Sequence, residues 1–252
     1  MKVKIFKCFT EGFCECFEDL VIDDSLIRVH LNGEFLFETH CLAEDVEEFV
    51  LGYMVFKGIR PVKWSFSFDG VNANLNLHEF KLFKSPMLVK FTPCMNAIKE
   101  LQEFQNFSLE ELPFKTKIRT SAVLKAMDHL LNDELHKKTG AVHLAGLYDS
   151  AGEPLVKFQD IGRHNAVDKV VGWMVKNNVD PTGKILLSSG RLPYDMVVKA
   201  VHAGVEVLAS KAPAMASAIQ LAEKLNLTLI GFVREGRMNV YTHPERVEEV
   251  EG

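Results

Sequence analysis

Residues 184–233 read KILLSSGRLPYDMVVKAVHAGVEVLASKAPAMASAIQLAEKLNLTLIGFV, and this stretch decides the fold. Short apolar runs predict three buried strands, at 184–188, 205–209 and 227–233. Between these runs the length and spacing of the apolar residues predict two helices, at 194–203 and 215–225. Buried strands that alternate with such helices are typical of a sheet covered by helices. The second half of the chain is therefore predicted to be a three-layer α/β domain.

The pattern continues upstream of this stretch. Residues 141–148 and 155–158 predict strands on either side of the turn Ser150-Ala151-Gly152, and 165–176 predicts a helix. A further helix is predicted over 121–131, in the connection that precedes the α/β domain.

The first part of the chain has a different character. Asn32-Gly33 between two alternating runs predicts a β-hairpin, 43–57 predicts a helix, and 64–68 and 73–77 predict further strands. We therefore predict two unequal domains. A small α+β domain with a linker that carries Cys94 spans 1–110, and the three-layer α/β domain spans 111–252.

Composition excludes several classes of protein. The chain has 252 residues, a net charge of −5 and no long run of Lys or Arg, so it lacks the basic face of a duplex nucleic-acid binder. No window approaches the roughly 20 apolar residues of a membrane span, and the N-terminus does not have the pattern of a signal peptide. The five cysteines are scattered, which predicts reduced thiols and a cytoplasmic protein.

The densest motif is DIGRHNAVDK at 160–169, where a strand ends at a glycine and a helix begins. The N-terminus of a helix favours an anion, and Arg163 and His164 add donors beside it. We expect Asn165 to be the N-cap, with Asp168 three residues on as its capping-box partner. The alternative is a well-capped helix whose charged residues are solvated.

A second strand-to-helix junction lies at Ser188-Ser189-Gly190-Arg191, followed by Pro193 and Asp195. Ligands of open α/β sheets bind outside the carboxyl ends of the strands, so two junctions can converge on one ligand. Serine hydroxyls and Arg191 suit a phosphate. The alternative is ordinary loop chemistry.

A third motif, GFVREGRMNVY at 231–241, combines a glycine-containing turn with arginines and aromatic rings. Arginine binds phosphate through two parallel hydrogen bonds, and Phe232 or Tyr241 can stack on a base. A surface hairpin whose arginines pair with acids such as Glu245 explains the same pattern equally well.

Histidine and cysteine residues give weaker signals. His143 lies among apolar neighbours, which favours a core histidine unless it is at the end of the strand that faces the other motifs. Cys94 follows Thr92-Pro93 in a segment with few structural signals, where a mobile reactive thiol is expected, and a buried, inert cysteine is the usual alternative. Cys8, Cys14 and Cys16 lack the C-x-x-C spacing of a zinc site, and the zinc-deaminase motifs are absent.

Taken together, the motifs at 138–143, 160–169, 189–191 and 239–242, with the hairpin and helix between residues 27 and 53, resemble the FdhD family of formate dehydrogenase accessory sulfurtransferases. The resemblance covers about residues 24–247. Motifs and resemblance together give the following candidate cofactor-binding residues: His143, Gly162, Arg163, His164, Asn165, Asp168, Ser189, Gly190, Arg191, Phe232, Val233, Arg234, Glu235, Gly236, Arg237 and Tyr241.

The resemblance implies a function. A family member carries persulfide sulfur from a cysteine desulfurase to the molybdenum bis-molybdopterin guanine dinucleotide cofactor of formate dehydrogenase before the cofactor is inserted. It also implies a homodimer and a cytidine-deaminase-like second domain without zinc. The family's sulfur relay uses a C-x-x-C loop, whose counterpart here is Cys94-Met95-Asn96-Ala97 with a single cysteine. A cofactor-binding chaperone without sulfur transfer is the first alternative, and a nucleotide-processing metalloenzyme is the second.

Overall fold

The computed structural model describes residues 1–83, 88–90 and 109–250. Up to residue 90, the described residues form one helix and seven strands: β1 (Lys2–Cys8), β2 (Cys14–Leu20), β3 (Ser25–Leu31), β4 (Glu34–Cys41), α1 (Val46–Phe56), β5 (Ile59–Phe68), β6 (Asn72–Leu82) and β7 (Leu88–Lys90). The second half contains five further helices and six strands: α2 (Thr120–Leu131), α3 (Glu134–Thr139), β8 (His143–Asp149), β9 (Pro154–Asp160), α4 (Arg163–Lys176), β10 (Lys184–Ser188), α5 (Tyr194–Ala203), β11 (Val207–Ser210), α6 (Ala216–Lys224), β12 (Thr228–Arg234) and β13 (Arg237–Val240). A 3₁₀ turn follows at Pro244–Arg246.

The first large sheet has the strand order β4-β3-β6-β5, and β7 pairs with β6. The predicted hairpin joins β3 to β4, and both turn residues, Asn32 and Gly33, have positive φ as a tight two-residue turn requires. Helix α1 covers one face of this sheet with Phe49, Val50 and Met54. It begins three residues later than predicted, because Asp45 takes a left-handed conformation (φ 54°) that starts the helix at Val46.

The second large sheet has the order β13-β12-β11-β10-β8-β9, in which β10, β11 and β12 are parallel. Alternate residues of β10 face opposite sides: Leu186 packs with α4, α5 and α6, while Ile185 and Leu187 pack with α2. Helices therefore cover both faces, and the predicted mixed α/β class is confirmed. The relation to cytidine deaminases stays a prediction.

The two large sheets meet through α1 and α4. A Cβ on Gly52 would lie 1.9 Å from the carbonyl oxygen of Asp168, and one on Gly172 would lie 1.8 Å from that of Glu48. The helix backbones thus touch directly at both glycines. In the described residues, each large sheet draws its strands from one side of the boundary predicted at 110/111. That boundary stays a prediction, and the linker with Cys94 lies outside the described residues.

Strands β1 and β2 form a separate two-stranded sheet, which we call the arm and which the sequence pattern did not predict. Its register places Cys8 opposite Cys14, and the two form a disulfide. The expectation of reduced thiols is therefore wrong for this pair, because the turn between the strands brings two exposed cysteines together. Cys16 is free and exposed, and Cys41 is free and buried. None of the described helices is long and apolar enough to span a membrane.

Candidate functional site

Asp160 organises the turn between β9 and α4. Its carboxylate is fully buried and accepts hydrogen bonds from the backbone N–H groups of Gly162 (3.0 Å) and Leu42 (3.3 Å) and from Nδ2 of Asn165 (3.0 Å). Lys169 Nζ lies 2.8 Å from the same carboxylate and is equally buried. The strand-to-helix turn is therefore built on an internal ion pair, and the alternative of solvated charges is wrong for these two residues.

The predicted capping of α4 is also wrong. The N-cap is Gly162, in an extended conformation, and Asn165 is the third residue of the helix. The side chain of Asn165 donates to Asp160 and does not accept from the helix backbone. Asp168 is buried and pairs with Lys199 of α5, and burial raises the pKa of its carboxyl. Asp168 thus ties α4 to α5, and its role in ligand binding stays a prediction.

The first two predicted junctions pack against each other. A Cβ on Gly190 would lie 2.8 Å from the Cβ of Arg163, so the loop after β10 packs on the stem of this arginine because it has a glycine there. The Nε of Arg163 is buried and has no hydrogen-bond partner in the described part of the chain. An unpaired buried donor is costly unless a ligand satisfies it. Arg163 is therefore the strongest candidate for anion binding.

Two histidines contact residues of these two junctions. His143, at the start of β8, lies 3.4 Å (Nδ1) from Ser189 Oγ, and burial and the charge of Arg163 lower the pKa of its imidazole. His164 Nε2 lies 2.7 Å from Asp195 Oδ2, and this contact lowers the pKa of Asp195. His143 is thus at the strand end that faces the motifs.

Three residues at or next to the two junctions were not among the predicted site residues: Ser188, Ser210 and Asp195. Ser188 Oγ accepts a hydrogen bond from the Gly190 N–H (3.1 Å), and Ser210 Oγ donates to the Gly190 carbonyl (2.6 Å). These two serines end the neighbouring parallel strands β10 and β11, and they hold the glycine loop from both sides. The sequence did carry a signal for both serines, because each lies at the carboxyl end of a buried strand, where ligands of α/β sheets bind.

The third motif lies next to this loop system, on β12 and β13. The N–H of Phe232 donates to the carbonyl of Ala212 (3.3 Å), which follows β11, and the ring of Tyr241 packs against Gly231. The guanidinium of Arg234 lies 5.4 Å from the centre of the Phe232 ring. Glu235 and Gly236 both have positive φ and form the two-residue turn of an exposed hairpin.

The hairpin alternative is therefore right about the local structure. The predicted pairing partner of its arginines, Glu245, contacts His243. Arg234 and Arg237 are exposed, and so is Arg191 beside Gly190. Val233 is fully buried in the core on the α2 side of the sheet, so its side chain is part of the packing. Cys94, the predicted catalytic residue, lies outside the described residues.

The sequence of this chain matches a known protein family. The model of the FdhD/NarQ family matches residues 22–248. This chain belongs to the FdhD/NarQ family. It is 32% identical over 248 residues to Protein FdhD of Methanocaldococcus jannaschii, covering 98% of this chain and 99% of that protein. It is 31% identical over 250 residues to the sulfur carrier protein FdhD of Bacillus subtilis, covering 96% and 95%.

A solved structure described as that of a formate dehydrogenase accessory protein from Desulfotalea psychrophila has the same fold. Its TM-score is 0.77 at 23% identity, with 98% of each chain covered. The family predicted from the motifs is therefore confirmed, and the match of the FdhD fold extends over both large sheets.

Proposed function

We propose that this FdhD-family chain carries sulfur for the maturation of formate dehydrogenase and binds the molybdenum bis-molybdopterin guanine dinucleotide cofactor as its cargo. Relatives of nearly the same length are named sulfur carrier proteins. The observation that supports cargo binding best is the buried Nε of Arg163 at the N-terminus of α4, which has no hydrogen-bond partner among the described residues.

The two junctions offer groups that suit a diphosphate. The helix dipole of α4 favours negative charge at its N-terminus, where Arg163 and His164 lie. Ser189 and Arg191 add donors from the loop after β10. A protein of net charge −5 meets an anionic cargo through such local groups. On the next loop system, Phe232 and Tyr241 supply rings for stacking on a guanine.

Cys94 is proposed to carry the sulfur. Its thiolate attacks the terminal sulfur of the persulfide on a cysteine desulfurase, a new S–S bond forms on Cys94, and the desulfurase cysteine leaves as a thiolate. One nucleophile is sufficient for this transfer. A homodimer and a cytoplasmic location belong to the same proposal.

The proposal predicts that Arg163 is needed for cargo binding and Cys94 for sulfur transfer. Arg163→Ala should weaken binding of GDP, as a probe of the guanine dinucleotide, at least tenfold, because a charged hydrogen bond contributes about 1.5–3 kcal/mol. The measurement is isothermal titration calorimetry. Arg28→Ala is the matched control, since Arg28 lies on β3 and pairs with exposed Glu38. Equal affinity of the two variants would contradict the assignment of Arg163.

Sulfur transfer is tested with labelled cysteine. Incubation with a cysteine desulfurase and ³⁵S-cysteine should label the wild type at Cys94 and leave Cys94→Ala unlabelled. The rival function is a cofactor-binding chaperone without sulfur transfer, which the single cysteine of the altered loop favours. It predicts that Cys94→Ala still supports formate dehydrogenase activity while Arg163→Ala does not.

Gly190→Ala tests the loop geometry. The added methyl group would lie 2.8 Å from Cβ and 2.9 Å from Cδ of Arg163, so the arginine or the loop has to move. We expect the Kd for GDP to rise about tenfold, which corresponds to about 1.4 kcal/mol. The melting temperature by circular dichroism serves as a control for folding. An unchanged Kd would show that the stem of Arg163 does not set the site.

A further inference from the structure

The arm carries three cysteines on one face of its two strands. Cys8 and Cys14 are directly opposite in the register and form the disulfide, and Cys16 is two residues beyond Cys14 and opposite Phe6. Because side chains two residues apart in a strand point to the same side, Cys14 and Cys16 are neighbours. All three cysteines are exposed.

This disulfide does little to hold the fold together. The arm is a sheet of its own, and none of its strand residues is buried. The two cysteines are six residues apart in a hairpin that already brings them together. A disulfide that closes so short a loop removes less chain entropy from the unfolded state than one that closes a long loop.

The surroundings leave the sulfurs accessible to a reaction partner. The tip of the arm is a short turn in which the rings of Phe9 and Phe13 stack with centres 4.7 Å apart, and both rings are exposed. Exposed disulfides are more readily reduced than buried structural ones. The tip thus presents a disulfide, a free thiol and two aromatic rings together.

We propose that Cys8, Cys14 and Cys16 form a thiol–disulfide exchange site that takes dithiols as its reductants. A thiolate of the dithiol attacks Sγ of Cys8, the Cys8–Cys14 bond breaks, and Cys14 leaves as a thiolate. The second thiolate then attacks the reductant's own sulfur in the mixed disulfide and releases Cys8. The dithiol loses two electrons and two protons, and the two cysteines gain them.

Cys16 is the alternative partner of Cys14. The Cα atoms of residues i and i+2 in a strand are about 6.6 Å apart, near the upper limit of about 6.8 Å for a disulfide, and the Cβ atoms must approach to about 4 Å. The exposed strand β2 therefore has to bend locally when Cys14 and Cys16 form this bond. When Cys8 is not available, a mixed disulfide on Cys14 is resolved by the thiolate of Cys16, which attacks Sγ of Cys14 and expels the small thiol. This exchange site shares no residue with the proposed cargo-binding site, and its chemistry does not require the cargo.

The first test uses native full-length protein, alkylation with iodoacetamide and peptide mapping by mass spectrometry. Without reductant, Cys16 should be alkylated and Cys8 and Cys14 protected. Dithiothreitol should then expose Cys8 and Cys14 to alkylation at least tenfold faster than Cys41. Cys41 is the internal control, because it is buried, and its pKa is raised to about 12, mainly by burial. Alkylation of Cys8 and Cys14 before reduction, or only together with Cys41, would overturn the proposal.

The second test separates the roles of the three residues. Treated with oxidised glutathione after reduction, Cys8→Ser should form the Cys14–Cys16 disulfide, and Cys16→Ser should restore Cys8–Cys14. A glutathione adduct that persists on Cys14 of Cys8→Ser would refute the role of Cys16. Both variants should keep the wild-type melting temperature, because the arm buries no side chain of its strands.

Discussion

Lys169→Met is expected to lower the free energy of unfolding by about 3–5 kcal/mol, the cost of removing one partner of a buried ion pair. Lys169 Nζ lies 2.8 Å from Asp160, and neither side chain is exposed. The substitution leaves the Asp160 carboxylate in the interior with its three hydrogen bonds but without its counter-charge. Methionine keeps most of the side-chain volume, so loss of packing contributes little.

Urea unfolding measures this effect, and α4 offers a matched control. Lys176, at the other end of the same helix, pairs with Glu47 and Glu48 at a partly exposed site, so Lys176→Met should cost only about 0–1 kcal/mol. The double variant Asp160→Asn/Lys169→Met should be more stable than Lys169→Met, because the buried charge is gone. A loss for Lys169→Met no larger than that of the control would contradict the role of the pair.

Lys169→Met should also disturb the turn that carries Arg163. Asp160 positions the N–H of Gly162 and the side chain of Asn165, which flank Arg163. A carboxylate that shifts after losing its counter-charge therefore also shifts the turn that carries Arg163. Under conditions where the variant stays folded, its affinity for GDP should fall, whereas that of Lys176→Met should not.

Gly172→Ala is expected to destabilise the protein by about 3 kcal/mol, the upper range for overpacking a close contact. The new Cβ would lie 1.8 Å from the carbonyl oxygen of Glu48, so α1 and α4 have to separate. Backbone atoms, unlike the end of a long side chain, cannot turn aside. The higher helix propensity of alanine offsets only about 1 kcal/mol of this cost.

Gly52→Ala should have a similar effect, because its Cβ would lie 1.9 Å from the carbonyl oxygen of Asp168. Thermal and urea unfolding measure both variants. Gln220→Ala, at an exposed position of α6, is the control and should leave stability nearly unchanged. A Gly172→Ala variant as stable as the wild type would show that the two helices can repack without the direct backbone contact.

The regular elements of the second sheet were predicted well from the sequence. The strand 184–188 and the helix 194–203 have the predicted bounds, because apolar runs and helical spacing change sharply there. The arm was not predicted, because only β1 begins with alternating polar and apolar residues, whereas β2 has no such alternation and is exposed throughout. The contacts of Gly52 and Gly172 were not predicted either, because a glycine inside a helix does not show which backbone lies against it.

The site was predicted in outline and differs in detail. The motifs at 160–169 and 188–191 do meet, because both follow strands that end at the same edge of the sheet. The assignment of Asn165 as the N-cap was wrong, since Asp160 five residues earlier takes its side chain. Local spacing predicts a capping box, but it does not show that a buried carboxylate competes for the same amide.

The glycine contacts between α1 and α4 also have a mechanical consequence. At these two positions no side chain lies between the helices that could deform. Helix α4 is 14 residues long, about 21 Å, and it begins at Arg163. We therefore expect a tilt of the first sheet to displace the turn that carries Arg163 as well.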